Sequence, residues 1–330
     1  MGNLVEISLS EIESILRAKL LAHDFTEADA KTIFEHLLYA EKSGKNTHGF
    51  LRLPALFEFL DNNHCADYTL SNETPVSAMI DCGGRPGYLS GDYAVDLCIE
   101  KLSNFGVAAI AGCRSHSLGM LGYHLHKLAL RGYVGLLAST SIAKVAPYGS
   151  IEAFMGTNPL AIAVPTDDEP VVYDAATSKI AVGDVISAIE TKSSLGEGVL
   201  LDESGKSTCN PNDLKHGALL PVGGRKGSGL SIMIEFLAGL LVGAPGSKHG
   251  EFGEFGFLMI GIDPEIFVGR ESFIERVVSM CETFHKLTPD DLTRTVLLPG
   301  ESASRMRKEN ADLGAVQLPD TVVTVLRNAV

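Results

Sequence analysis

The sequence predicts a mixed α/β fold without the regular winding of a parallel, doubly wound sheet. Three observations lead there. Helical and strand-like segments interleave along the 330 residues without the steady strand–helix rhythm of βαβ units. No predicted strand runs into Gly-x-Gly-x-x-Gly, and the dense glycine cluster at 223–229 (Gly-Gly-Arg-Lys-Gly-Ser-Gly) has other spacing. Both ends of the chain are helical in pattern.

The elements follow in order. Ser8-x-x-Glu11 has the capping-box spacing and precedes Ile12, Ile15, Leu16 and Leu20 at helical intervals. Thr26-x-x-Asp29 opens a second helix through Ile33, Leu37 and Leu38, and helical spacing resumes after Pro54. Strands are predicted at 77–81, 107–111, 134–139, 160–164, 171–173 and 257–262, and helices at about 91–104, to Leu128, at 230–241 and at 272–284. The stretch from about 190 to 220 is polar and turn-rich and reads as a surface excursion. A short extended piece at 295–298 precedes Pro299-Gly-Glu301, which starts the charged C-terminal helix.

Composition narrows the function. Hydrophobic residues at 45% and charged residues at 21% make a globular chain. A net charge of −14 excludes the basic footprint that nucleic acid needs, so an anionic ligand must be held by local Lys or Arg groups. Six cysteines without a Cys-x-x-Cys pair suggest free thiols in a reducing compartment. The N-terminus has no basic region or apolar signal core, and the apolar run at 237–242 is too short to span a bilayer. A cytoplasmic protein with no membrane contact is expected.

Several polar segments could hold chemistry. In Asn46-Thr-His48-Gly-Phe-Leu-Arg52, His and Arg four apart share a face if the chain is helical from Gly49 onward. An Arg fork suits a carboxylate, and a His suits proton transfer near neutrality; a surface His beside an unrelated Arg is the ordinary alternative. His116 follows a predicted strand, where ligands often bind, or it is a capping or packed residue. Asp174 follows another strand and could orient a His, or cap a helix. Lys226 and Gly227 in the glycine cluster offer a cation and a helix N-terminus to a phosphate. His124 and His126 are two apart, so they face apart on a helix, and no metal site is expected.

Taken together and in order, these segments resemble the type-2 malate/L-lactate dehydrogenases, a group with ureidoglycolate and sulfolactate dehydrogenases, 2,3-diketogulonate reductase and Δ1-piperideine-2-carboxylate reductase. The resemblance runs through Thr47-His-Gly with Arg52, Asp81-Cys-Gly-Gly84, Ser115-His116, Ala146-Pro-Tyr-Gly149, Gly156-Thr-Asn-Pro159, Asp174-Ala-Ala-Thr-Ser178, Leu220 to Gly227, Ile262-Asp-Pro264 and Pro299-Gly-Glu301. It implies a non-Rossmann NAD(P)-binding fold around a largely antiparallel sheet. A helical domain would come from both chain ends (1–75 with about 270–330), beside a cofactor-binding and catalytic domain (about 76–269). It also implies a homodimer and hydride transfer between nicotinamide and C2 of a small 2-oxo or 2-hydroxy acid.

Under that resemblance Arg52 holds the substrate carboxylate, with Thr47 and Thr157 beside it. His48, oriented by Asp174, moves the proton, and His116 is the competing candidate. NAD or NADP would meet Ser139, Ser141, Asp174, Ala175, Ala176, Thr177, Ser178, Lys226, Gly227, Pro299, Gly300 and Glu301. Gly183-Asp-Val185 looks more like the piperideine-carboxylate reductases, so a cyclic 2-imino acid is the alternative substrate. A non-catalytic binding homologue is the third reading.

Overall fold

A computed structural model describes residues 4–291, 293 and 295–329. Its elements are β1 (Leu4–Ser8), α1 (Leu9–Ala22), α2 (Glu27–Lys42), α3 (Leu53–Asn62), β2 (Thr69–Thr74), β3 (Ser77–Asp81), α4 (Gly87–Phe105), β4 (Val107–Ser115), α5 (Leu121–Ala129), β5 (Val134–Ser139), β6 (Leu160–Val164) and β7 (Val171–Ala175). There follow α6 (Val182–Thr191), β8 (Leu200–Leu201), β9 (Ser207–Thr208), β10 (Ala218–Leu219), α7 (Arg225–Ile234), β11 (Phe255–Ile262), α8 (Arg270–His285), α9 (Glu301–Glu309), β12 (Ala315–Pro319) and α10 (Asp320–Asn328).

Local chemistry starts the first two helices as expected. Ser8 accepts the Glu11 N–H at 3.1 Å. Thr26 and Asp29 make both halves of a capping box. Sequence pattern did not find β1 or β12, whose pairing partners lie at opposite ends of the chain. They pair antiparallel, Leu4 opposite Pro319 and Ser8 opposite Ala315, and so join the two ends of the chain. Beneath them one core unites Ile12, Leu16, Ile33, Phe50, Leu53 and Phe57 with Val322, Val323 and Leu326 from α10.

The main sheet has seven strands in the order β2-β3-β4-β11-β5-β6-β7. Only β3 and β4 run parallel; every other neighbouring pair is antiparallel. The fold is therefore mixed α/β with a largely antiparallel sheet. Helices α4 and α5 pack on it over a second core that includes Ile80, Val95, Leu102, Ile110, Leu125, Leu137 and Phe257. β11 enters the middle of the sheet from far along the chain, which is why no strand–helix rhythm shows.

The 190–220 stretch is more than a surface excursion. β8, β9 and β10 form a small sheet, and Leu200, Leu214 and Leu219 are buried with Val145, Met155 and Val185 of α6. Helix α6 itself escaped the sequence reading. The 295–298 piece joins no sheet. Helix α7 continues into a π turn at Glu235–Gly239 and a short 3-10 turn at Leu240–Val242.

Candidate functional site

A cavity of about 150 Å³ opens beside the start of α3. Thr47, His48 and Arg52 line one wall, with Ser117 and Gly119 from the segment after β4, Ser141, Thr157, and Val182 and Gly183 of α6. The His48–Arg52 segment is not an α-helix, as the expected shared face required. It is two successive 3-10 turns, Asn46–His48 and Phe50–Arg52. Glu41 shapes the joint: its Oε2 accepts the Phe50 N–H at 3.1 Å, and a Cβ on Gly49 would lie 2.1 Å from that oxygen. The two turns still aim both side chains into one cavity.

Among the described residues no carboxylate ion-pairs with Arg52, whose guanidinium lies beside the Tyr88 hydroxyl. His48 Nδ1 is 3.3 Å from Thr47 Oγ1. Burial, and then the Arg52 charge, pull the His48 ring down to about 4, while Asp184 opposes them. His116 is buried between the rings of Phe59 and Phe252, at 4.5 and 4.6 Å. Neither of its nitrogens has a hydrogen-bond partner, and burial followed by Arg52 draws it too down to about 4. His116 stands behind the cavity wall rather than on it. The backbone after it is fixed by His36, whose Nε2 accepts the Met120 N–H at 2.9 Å. Gly119, at φ +72°, passes so close that a Cβ would lie 2.5 Å from that nitrogen.

The expected Asp174–His48 pair is not formed. Asp174 lies within β7, not after it, and its Oδ2 accepts the Gly122 N–H at 2.7 Å. Burial raises its carboxyl to about 6. It faces a second cavity of about 270 Å³ with Tyr39, Lys45, Pro299, Gly300 and Arg307. The carboxylate that acts on His48 is Asp184, at the N-terminus of α6, where it caps the Ala181 N–H.

The remaining expected residues divide. Pro299 and Gly300 line the second cavity; Glu301 instead lines a neighbouring one of about 360 Å³, hydrogen-bonded to His285 at 2.9 Å. These two cavities share Pro170 and Pro299 but lie on different faces of α9, with Glu301, Ser304, Arg305 and Lys308 lining one and Ser302, Ala303, Met306 and Arg307 the other. Ser141 accepts the Thr157 N–H at 3.0 Å and meets its hydroxyl at 3.2 Å. Thr177 donates to the carbonyls of Thr157 and Asn158, and Ser178 donates to Ile180 O. Thr177 and Ser178 brace the walls instead of facing a ligand, as does Ser139, which donates to Thr140 O. Ala175 ends β7 and Ala176 follows it, both half-buried. Lys226 is exposed, Gly227 packs under Val222 O, and neither lines any of these three cavities. His124 and His126 bind different partners, Leu118 O and Glu169.

Sequence reading missed Glu235. It is buried, and its oxygens accept from Asn158 Nδ2 at 2.7 Å, Gly156 N–H at 3.2 Å and Ser247 N–H at 2.9 Å. It thereby ties α7 to the segment bearing Thr157. A signal existed: Glu235 is the single charge in the apolar stretch 230–241.

The malate/L-lactate dehydrogenase family model matches residues 7–327. An L-sulfolactate dehydrogenase of Methanothermobacter thermautotrophicus is 32% identical over 323 residues, 94% of this chain and 93% of its own. A Δ1-pyrroline-2-carboxylate/Δ1-piperideine-2-carboxylate reductase of Pseudomonas putida is 32% identical over 323 residues, 93% of this chain and 92% of its own. Among solved structures, sulfolactate dehydrogenase of Methanocaldococcus jannaschii superposes with a TM-score of 0.89 at 28% identity, covering 98% of this chain and 96% of that one. The match spans both chain ends, the central sheet and every segment around the cavity, and on that ground the chain belongs to the malate/L-lactate dehydrogenase family.

Proposed function

We propose that the chain is an NAD(P)-dependent oxidoreductase that moves hydride between a nicotinamide dinucleotide and C2 of a small 2-oxo or 2-hydroxy acid. A 2-imino acid differs only in the atom that takes the proton. The observation that supports this best is Arg52: a cation without an ion-pair partner among the described residues, in the same cavity as His48.

The cavity that holds Asp174 fits part of a dinucleotide in its donor set. Lys45 suits phosphate oxygens, Asp174 suits sugar hydroxyls, and Pro299 and Gly300 provide a close backbone wall, while Arg307 is paired with Glu169 at 2.9 Å. When bound, the nicotinamide supplies or accepts the hydride. Arg52 holds the substrate carboxylate by a bidentate contact, and Thr157, steadied by Ser141, supports the other substrate oxygen. His48 exchanges the proton. Its ring is neutral at pH 7 in the free enzyme, because burial and Arg52 disfavour the charge. A carboxylate bound on Arg52 cancels the second of these causes. The ring then protonates more readily with substrate present, and Asp184 favours the same form. His116, without a hydrogen-bond partner and behind Phe252, tunes the wall.

The test is oxidation of NADH and NADPH across 2-oxo and 2-imino acids, with cofactor binding followed by nicotinamide fluorescence. Cofactor binding with turnover of at least one such acid is expected. Binding without turnover of any of them would defeat the reading.

We also propose a homodimer. Leu230, Met233, Phe236, Leu237, Leu240 and Leu241 form an exposed apolar face along the α7 helix and its continuation, with Leu240 and Leu241 59% and 67% exposed. Contiguous apolar patches of this kind mark protein interfaces. The double variant Leu237→Glu/Leu240→Glu is expected to run as a monomer in light scattering after gel filtration, whereas the parent chain runs at twice its 35.1 kDa mass. A monomeric parent chain defeats this part. No helix among the described residues is long and apolar enough to cross a membrane, and six free thiols suit a reducing cytoplasm.

A further inference from the structure

Apart from Arg52, His48 and the Tyr88 hydroxyl beside Arg52, the cavity is lined by the apolar side chains of Ile142, Val182, Phe252 and Phe255 and by the hydroxyls of Thr47, Ser117, Ser141 and Thr157. Among the described residues that line the cavity, Arg52 is the one cationic side chain, and no carboxylate joins it. Lys45, whose charge reaches His48, and Arg307, paired with Glu169 at 2.9 Å, line the Asp174 cavity instead. His48, protonated for the reductive step, spends its charge on the C2 oxygen or nitrogen that takes the proton. An anion pressed against an apolar wall without a partner loses hydration and regains nothing. The cavity of about 150 Å³ also sets a size: a cavity of about that volume accepts one benzene ring.

We infer that the substrate is a 2-oxo or cyclic 2-imino monocarboxylate whose remainder is uncharged and no larger than about one six-membered ring, and that acids with a second anionic group are excluded. The inference rests on the assignment of Arg52 and His48 made above. Arg52 consumes the one carboxylate. The remainder lies against Ile142, Phe252 and Phe255, where a second carboxylate or a sulfonate meets no cation. An uncharged ring or short alkyl chain instead gains contact there. Selectivity of this kind comes from rejection, with the desolvated wall acting against the wrong acid.

The test compares kcat/KM of the purified enzyme for 2-oxobutyrate, 2-oxovalerate and Δ1-piperideine-2-carboxylate with that for oxaloacetate and sulfopyruvate, using whichever nicotinamide cofactor binds. The best monocarboxylate is expected to exceed either dianion by at least about 100-fold, in line with what a buried polar mismatch costs a binding site. Turnover that favours oxaloacetate or sulfopyruvate overturns the selectivity and leaves hydride transfer intact. Turnover of none of the five acids overturns hydride transfer itself, and the selectivity with it. A second variant places a cation on the wall. Ile142 is exposed enough to be replaced without disturbing the core, and Ile142→Lys is expected to shift the oxaloacetate to 2-oxovalerate ratio at least tenfold toward oxaloacetate. An unchanged ratio in an active Ile142→Lys enzyme overturns the placement of the substrate remainder on this wall.

Discussion

Arg52→Gln is expected to lower kcat/KM for the preferred acid by about 10²–10³-fold. Removing one partner of a desolvated, hydrogen-bonded charge pair costs roughly 2–5 kcal/mol, and each 1.36 kcal/mol is about tenfold in rate. The loss should fall mainly on KM, because the carboxylate is held equally before and during hydride transfer. Arg52→Lys keeps the charge but loses the planar fork, so it is expected to lie between the two. A second consequence separates this role from a structural one. Arg52 is the second cause, after burial, of the low values of both His48 and His116. The Gln variant should therefore move the limb of the kcat/KM profile that reports His48, the one lost on deprotonation in the reductive direction, to higher pH. Steady-state kinetics from pH 4 to 9 checks both, and an unchanged KM would remove Arg52 from the substrate site.

His48→Ala is expected to reduce kcat by about 10²–10⁴-fold, the usual contribution of a positioned general acid or base. Cofactor affinity, read by fluorescence, should stay within about twofold, because His48 lines the smaller cavity and not the one that holds Asp174. His116→Leu is the matched control. That ring makes no hydrogen bond, so the variant should keep kcat within about tenfold. The reverse order of these two effects would transfer the proton to His116.

The same residues set an acid limit on stability. Both rings titrate near about 4 in the fold, against roughly 6.5 in the unfolded chain. Between those values the unfolded chain binds protons that the folded chain refuses. Stability is therefore fully present above pH 6.5 and is lost as pH falls toward 4. His116→Leu removes one such group, so its melting temperature should fall less between pH 8 and pH 5 than that of the parent. An equal fall in both proteins would remove the contribution assigned to His116.

Much of the fold was legible because local chemistry speaks early. The Ser8 and Thr26 caps, the alternation at 77–81 and the buried runs at 134–139 and 160–164 all gave elements near their observed places. Pairings of distant segments were not legible. β1 against β12 and β11 between β4 and β5 depend on partners that no local window contains. Polar composition hid β8 to β10, whose few apolar side chains find burial only when α6 and the 145–155 segment close over them.

The site shows the same division. Residue types and their order determined the class of chemistry: an Arg and a His in one short segment, the Thr157 segment, and a family resemblance over the whole chain. Tertiary structure decided which groups meet. It kept Asp174 from His48, since β7 directs that carboxylate to the Gly122 amide and the second cavity, and left the Asp184 charge to act on His48 without a bond. It set His116 behind Phe252 and left Lys226 outside the cavities. It also set the single cation Arg52 in a cavity whose apolar lining comes from three separate stretches of chain, around 142, 182 and 252–255. The physical reason is range. Capping, periodicity and charge type act within a few residues and are written in sequence order. Desolvation, pairing and cavity shape depend on what packing brings within a few ångströms, whatever the separation along the chain.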